Sequence, residues 1–156
     1  MNSRRRFVKH VSTLLLSCTL FGCKKGISME SAVVLDVVLF NYVDRAIIDV
    51  LLNGEDIGVA GPYGGGSGVL SGVRIPLGAQ RLTWRWDGPE GMPGNGDTVA
   101  AINTMTLSPT QISADDRYLG VHVYPDRTAE LTLSPHLPEM TPKGEQIYRE
   151  KRRNDR

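Results

Sequence analysis

Cysteine and histidine are scarce in this 156-residue chain, with two of the first and three of the second. Both cysteines, Cys18 and Cys23, sit near the start. The remainder therefore lacks the clustered Cys and His ligands of a zinc site and the thiolate of a cysteine nucleophile. Aromatic residues make up only 6% of the chain, and no apolar run reaches the ~20 residues that a permanent membrane helix needs. A multi-span membrane protein is excluded. With 40% hydrophobic and 22% charged residues, so are collagen and a coiled coil. Neither sign of charge prevails, since the formal net charge is +1. At about 150 residues per domain, the length accommodates one core.

What is present begins with a processing signal. Arg4, Arg5, Arg6 and Lys9 precede a mostly apolar stretch at 11–20, followed by Phe21-Gly22-Cys23. A basic segment and about ten apolar residues predict an export signal over 1–22, too short to stay in the bilayer as a spanning helix. Leu20-Phe21-Gly22-Cys23 resembles the bacterial lipobox, in which a small residue precedes a cysteine that is lipidated and becomes the new N-terminus. Phe21 departs from the smaller side chain usual at its position. Cys18 is a competing site, but it would leave a very short apolar region, so lipidation is expected at Cys23 with 23–30 as a tether. A Cys18–Cys23 disulfide would close a loop too short to stabilise anything. The expected location is the bacterial envelope, lipid-anchored to the membrane and facing the periplasm. Ser3-Arg4-Arg5-Arg6-Phe7-Val8-Lys9 also resembles a twin-arginine export signal, and the general route stays open beside it.

Removal of the signal makes the charge distribution informative. Residues 23–139 carry 8 basic and 14 acidic groups, a net of −6, whereas 140–156 hold six basic and three acidic groups. Nucleic acid is not an expected partner for the acidic body, because binding it requires basic groups to neutralise phosphates. A basic protein surface fits better.

Helical periodicity is hard to find after residue 31, and short β-type runs bounded by turn residues recur. Residues 32–42 are rich in Val, Leu and Phe, which suits a strand buried on much of both faces. Residues 46–52 end at Asn53-Gly54, a pair that supplies the positive φ angles of a tight hairpin, so 55–60 should return antiparallel. Residues 61–68 read as a loop. Further strands are expected at 69–77, 81–86, 98–107, 118–124 and 128–133, with a glycine- and proline-rich loop at 87–96. The fold class is mainly β: a single antiparallel β-sandwich or barrel-like domain over 31–139. The charged tail at 140–156 has too little apolar surface to offset the entropy of ordering, so a frayed helix or disorder is expected there.

Catalytic patterns are missing from the same stretch, and neither enzymatic activity nor a cofactor is expected. His122 shares a strand face with Tyr118 and Tyr124, opposite Leu119, Val121 and Val123, which reads as a solvent-facing histidine. Gly66-Ser67-Gly68 lacks the strand-to-helix setting of a nucleophile elbow. Gly61-Pro62-Tyr63-Gly64-Gly65-Gly66-Ser67-Gly68 is not a phosphate loop, since no Lys-Ser or Lys-Thr pair and no helix follow it. Glycines there serve either a tight crossing between strands or backbone contact with a partner. Trp84 and Trp86 share a strand face and read as core, with interface anchoring as the alternative.

Asn41-Tyr42-Val43-Asp44-Arg45-Ala46-Ile47, Asn53-Gly54, Tyr63-Gly64-Gly65-Gly66-Ser67-Gly68, Val73-Arg74-Ile75-Pro76 and Val121-His122-Val123-Tyr124-Pro125-Asp126 occur in that order. Together they resemble a family of small bacterial lipoproteins of unknown function that recur beside type VI secretion phospholipase effectors. The resemblance covers residues 33–134. Many of those relatives carry cysteines after the glycine loop, where this chain has Val69-Leu70-Ser71. The resemblance implies an immunity role, in which the lipoprotein binds and neutralises a toxic phospholipase, with Tyr63, Gly64, Gly65 and Ser67 as partner-binding residues. The alternative is a general envelope lipoprotein with a structural or assembly role.

Overall fold

The computed structural model describes residues 31–155, and the expected signal, tether and lipidation site at Cys23 lie outside them. Strand β1 (Ala32–Asn41) organises the rest because both of its faces are apolar. Leu35, Val37 and Leu39 point into one core, and Val38 and Phe40 into another. Beside β1 on one side runs β4 (Gly65–Pro76), antiparallel, and on the other β9 (Tyr118–Val123) followed by β10 (Ala129–Ser134). The second sheet has the order β3-β2-β6-β7, formed by β2 (Ala46–Leu52), β3 (Glu55–Ala60), β6 (Leu82–Asp87) and β7 (Thr98–Ala100). Strands β5 (Gly78–Gln80) and β8 (Met105–Leu107) make a small ribbon.

The larger core lies between the two sheets. Ile47, Val50 and Leu52 of β2 and Leu82 and Trp84 of β6 meet Leu119, Val121 and Val123 of β9 across it. Trp86, half-buried, packs against the same cluster, so both tryptophans are core as expected. The fold is a β-sandwich and not a closed barrel. The hairpin at Asn53-Gly54 also forms as expected, with φ of 54° and 89°.

Several expectations need correction. The β1–β9 pairing is parallel, so the first sheet is mixed and not wholly antiparallel. Such a pair needs a long crossover, here the whole of β2 to β8, and leaves no local turn signal. The strand expected at 69–77 begins earlier, at Gly65, so only the first part of 61–68 is loop. The run 98–107 is two strands, β7 and β8, broken at 101–104, where Asn103 caps Ala129 with two side-chain hydrogen bonds of 2.8 Å. The tail is an ordered helix, α1 (Pro142–Asn154), not a frayed segment. Thr141 caps its N-terminus by accepting a hydrogen bond from the Gly144 N–H, and Pro142 opens the first turn.

The largest correction concerns His122. It is fully buried instead of facing solvent, because α1 and the segment leading into it cover that face of the sheet. The helix buries mainly small groups there. Gly144 lies so close to the Tyr42 ring that any Cβ would strike it, and Ile147 packs on the second core. The tail thus gains its ordering free energy from a close glycine–aromatic contact that a count of large apolar residues misses.

Candidate functional site

Two features meet around the β1–β2 connection: a buried polar ladder beneath α1 and two surface loops clamped from below. In the ladder the ring of His122 stacks on Phe40 at 4.5 Å and on Tyr42 at 5.9 Å, and Tyr42 stacks on Tyr124 at 5.2 Å. The Tyr42 Oη accepts the Thr141 backbone N–H at 3.4 Å and is hydrogen-bonded to His122 Nδ1, 3.0 Å away. His122 Nε2 is hydrogen-bonded to Thr132 Oγ1 at 2.9 Å, so both ring nitrogens have partners. Burial in these apolar surroundings lowers its pKa to about 4. Burial likewise pushes the Tyr42 and Tyr124 hydroxyls up. Tyr124 Oη bonds Glu130 Oε2 at 2.7 Å and Thr141 Oγ1 at 2.6 Å, which ties the start of α1 to the sheet. Lys143 lies 4.0 Å over the Tyr124 ring and bonds Asp126 at 3.0 Å. The Thr128 hydroxyl, with Lys143, holds the Asp126 carboxyl down at about 2. Tyr42 and Tyr124 both bond Thr141 at the start of α1, so the ladder fastens the helix to the sheet.

The motif Asn41-Tyr42-Val43-Asp44-Arg45 is what clamps the loops. Asn41 is fully buried, and its Nδ2 donates to Arg45 O and Gly61 O at 2.8 Å and to Ala60 O at 3.4 Å, while its Oδ1 accepts from Val43 N at 3.0 Å. A strand-end asparagine has thus taken over the backbone accounting of the 61–64 turn. Arg45 reaches the other way. Its guanidinium donates to Pro93 O at 3.0 Å and to Asn95 Oδ1, and it lies 5.3 Å from the Trp86 ring. Asn95 in turn binds Gly88 O and Pro89 O at 3.1 and 2.9 Å. The long 87–96 loop is therefore cross-braced from within.

The four expected partner-binding residues fall in different settings. Tyr63 is half-buried with φ of 47°, an uncommon backbone state for a non-glycine residue. Its N–H donates to Val43 O at 2.9 Å, its ring meets Tyr148 of α1 edge-on at 6.5 Å, and Lys151 lies 5.1 Å above it. Asp155, 2.5 Å from Lys151 Nζ, keeps that amine's pKa above its usual value. Gly64 admits no side chain, since a Cβ would come within 2.7 Å of Gly61 O. Gly65 faces the Phe40 ring, and Ser67 belongs to β4. Tyr63, Gly64 and Gly65 are contiguous with the Asn41 clamp, whereas Ser67 lies on the sheet edge. Sequence reasoning missed Asn41 and Arg45 as the residues that hold both loops. An asparagine ending an otherwise apolar strand was the available signal, because a buried amide must find partners.

Among the described residues no group of three or more His, Cys, Asp or Glu side chains is placed to hold a metal ion. No helix among them is long and apolar enough to cross a membrane. No family model, curated protein or solved structure matches the chain.

Proposed function

We propose that this chain is a periplasm-facing lipoprotein that acts as an immunity protein, binding a type VI secretion phospholipase effector and neutralising it. The observation that carries the proposal is Tyr63, an aromatic held in a left-handed conformation at the tip of a loop that Asn41 ties down. Strained residues of this kind persist only where their surroundings over-determine them, and they gather at recognition sites. A preset aromatic contributes binding area at little entropic cost. The resemblance across 33–134 supports the same reading. The excess of acidic groups in 23–139 would steer the domain toward a basic surface and speed encounter. Lipidation of Cys23 would keep the inhibitor at the membrane where a phospholipase finds its substrate.

Titration of the purified protein into a type VI secretion phospholipase effector, followed by calorimetry, tests this. A stoichiometric complex is expected. Tyr63→Ala should weaken it by more than about 1 kcal/mol while the domain stays folded. Absence of a complex would contradict the proposal.

A further inference from the structure

Strand β4 is the last of its sheet, and no strand lies on its outer side among the described residues. Sheet edges are usually defended by charge, proline or shortness. The far half of β4 has Arg74 and Pro76, whereas the half from Gly65 to Leu70 has neither a charge nor a proline and carries only a bulge, residues 66–68 standing opposite Leu39. Val69 and Leu70 there remain 43% and 41% exposed. An added Cβ at Gly68 would meet nothing within 4 Å, so the face of the sheet is open at this position.

Two grooves flank this edge, one on each face of the sheet. The first, about 380 Å³, lies between β4 and β3 and is walled by Leu39, Ile57, Val59 and Leu70, with Asp56 as its charged residue. The second, about 540 Å³, lies under α1 and is walled by Phe40, Leu137, Met140 and Tyr148, with Arg152 as its charged residue. Gly68 and Val69 line both. A strand added beside β4 would send successive side chains to opposite faces, hence alternately into the two grooves.

We propose that the outer edge of β4 from Gly65 to Leu70 docks an extended peptide of a partner protein. Its side chains are apolar in alternation, with a carboxylate on the face toward Arg152 and a cation on the face toward Asp56. Backbone pairing supplies affinity, and the two grooves supply sequence preference. A second copy of the same edge fits less well, because Gly65 to Leu70 carries no charged side chain to answer Arg152 or Asp56. An acyl chain would fill the grooves but leave the edge N–H and C=O groups without partners.

Selection of a displayed library of short random peptides on the full-length protein tests the proposal. Enriched peptides should alternate apolar residues, with acidic and basic residues on opposite faces. Val69→Lys, a change at an exposed position, should weaken them roughly tenfold or more by setting a charge in the docking edge. Val34→Lys, on exposed surface elsewhere in the same sheet, should leave their affinity unchanged, and thermal melts of both variants control for folding. The proposal is overturned if no peptide is enriched, if binding is indifferent to Val69→Lys in a folded variant, or if the protein self-associates through this edge in sedimentation. The selection uses no phospholipase, so its failure and the failure of the inhibitory reading are separately visible.

Discussion

Acid should loosen this protein through His122. The ring is buried, neutral and hydrogen-bonded at both nitrogens, with a pKa lowered from 6.5 to about 4 by burial. Between those values the unfolded chain binds a proton that the folded chain refuses, so stability falls as the pH drops from 6.5 toward 4 and levels off below. The whole shift corresponds to about 3 kcal/mol, of which about 2 kcal/mol should be lost between about pH 7 and about pH 4.5. Asp126 does not blur this window. Its pKa is lowered to about 2, so its contribution is complete above the ordinary 3.8 and is lost only as the pH falls through the lower value. Urea denaturation followed by the fluorescence of Trp84 and Trp86 gives the two stabilities directly. His122→Phe is the discriminating variant. It keeps the stack on Phe40 and Tyr42 but leaves the Tyr42 hydroxyl with Thr141 N–H alone, at a cost of about 1–3 kcal/mol near neutral pH. Its stability should then be flat across the window. An equal loss in both proteins would refute the assignment to His122, and equal stability of the wild type at both pH values would refute the buried neutral imidazole.

Three other substitutions test the fastening, the clamp and the Asn53-Gly54 hairpin. Gly144→Ala should cost about 1–3 kcal/mol in denaturant melts, since its Cβ strikes the Tyr42 ring and lifts α1 from the sheet. Asn41→Ala should lower stability by about 2 kcal/mol or more by orphaning Val43 N–H and the Arg45 and Gly61 carbonyls, and should raise amide exchange in 60–64. Gly54→Val should cost about 1 kcal/mol or more from backbone strain alone, because φ is 89° and open space surrounds the site, and an unchanged melting temperature would contradict this.

The strands were legible where alternation or a turn dipeptide marked them, as in 46–52, Asn53-Gly54 and 55–60. The helix was not, because its buried face presents Thr141, Gly144 and Ile147, a set without the apolar stripe that announces a packed helix. His122 was misplaced for the same reason: alternation along β9 tells which residues share a face but not what covers that face. The parallel pairing of β1 with β9 joins segments far apart in the chain, and nothing local encodes it. At the candidate site the glycine loop stood out by composition. Its hold on the body depends on Asn41, and that of the 87–96 loop on Arg45; these side chains act across 20 and about 50 residues of chain, a distance over which a sequence pattern is silent.

Protection in the periplasm is the most direct measurement of the inhibitory role. A type VI secretion phospholipase effector is expressed with an export signal in cells that do or do not carry this protein, and survival and membrane phospholipid content are compared. The proposed function predicts survival and intact phospholipid only where the lipoprotein is present, with protection reduced by Tyr63→Ala. Equal killing and equal phospholipid loss in both strains, with the protein present at the membrane, would contradict it.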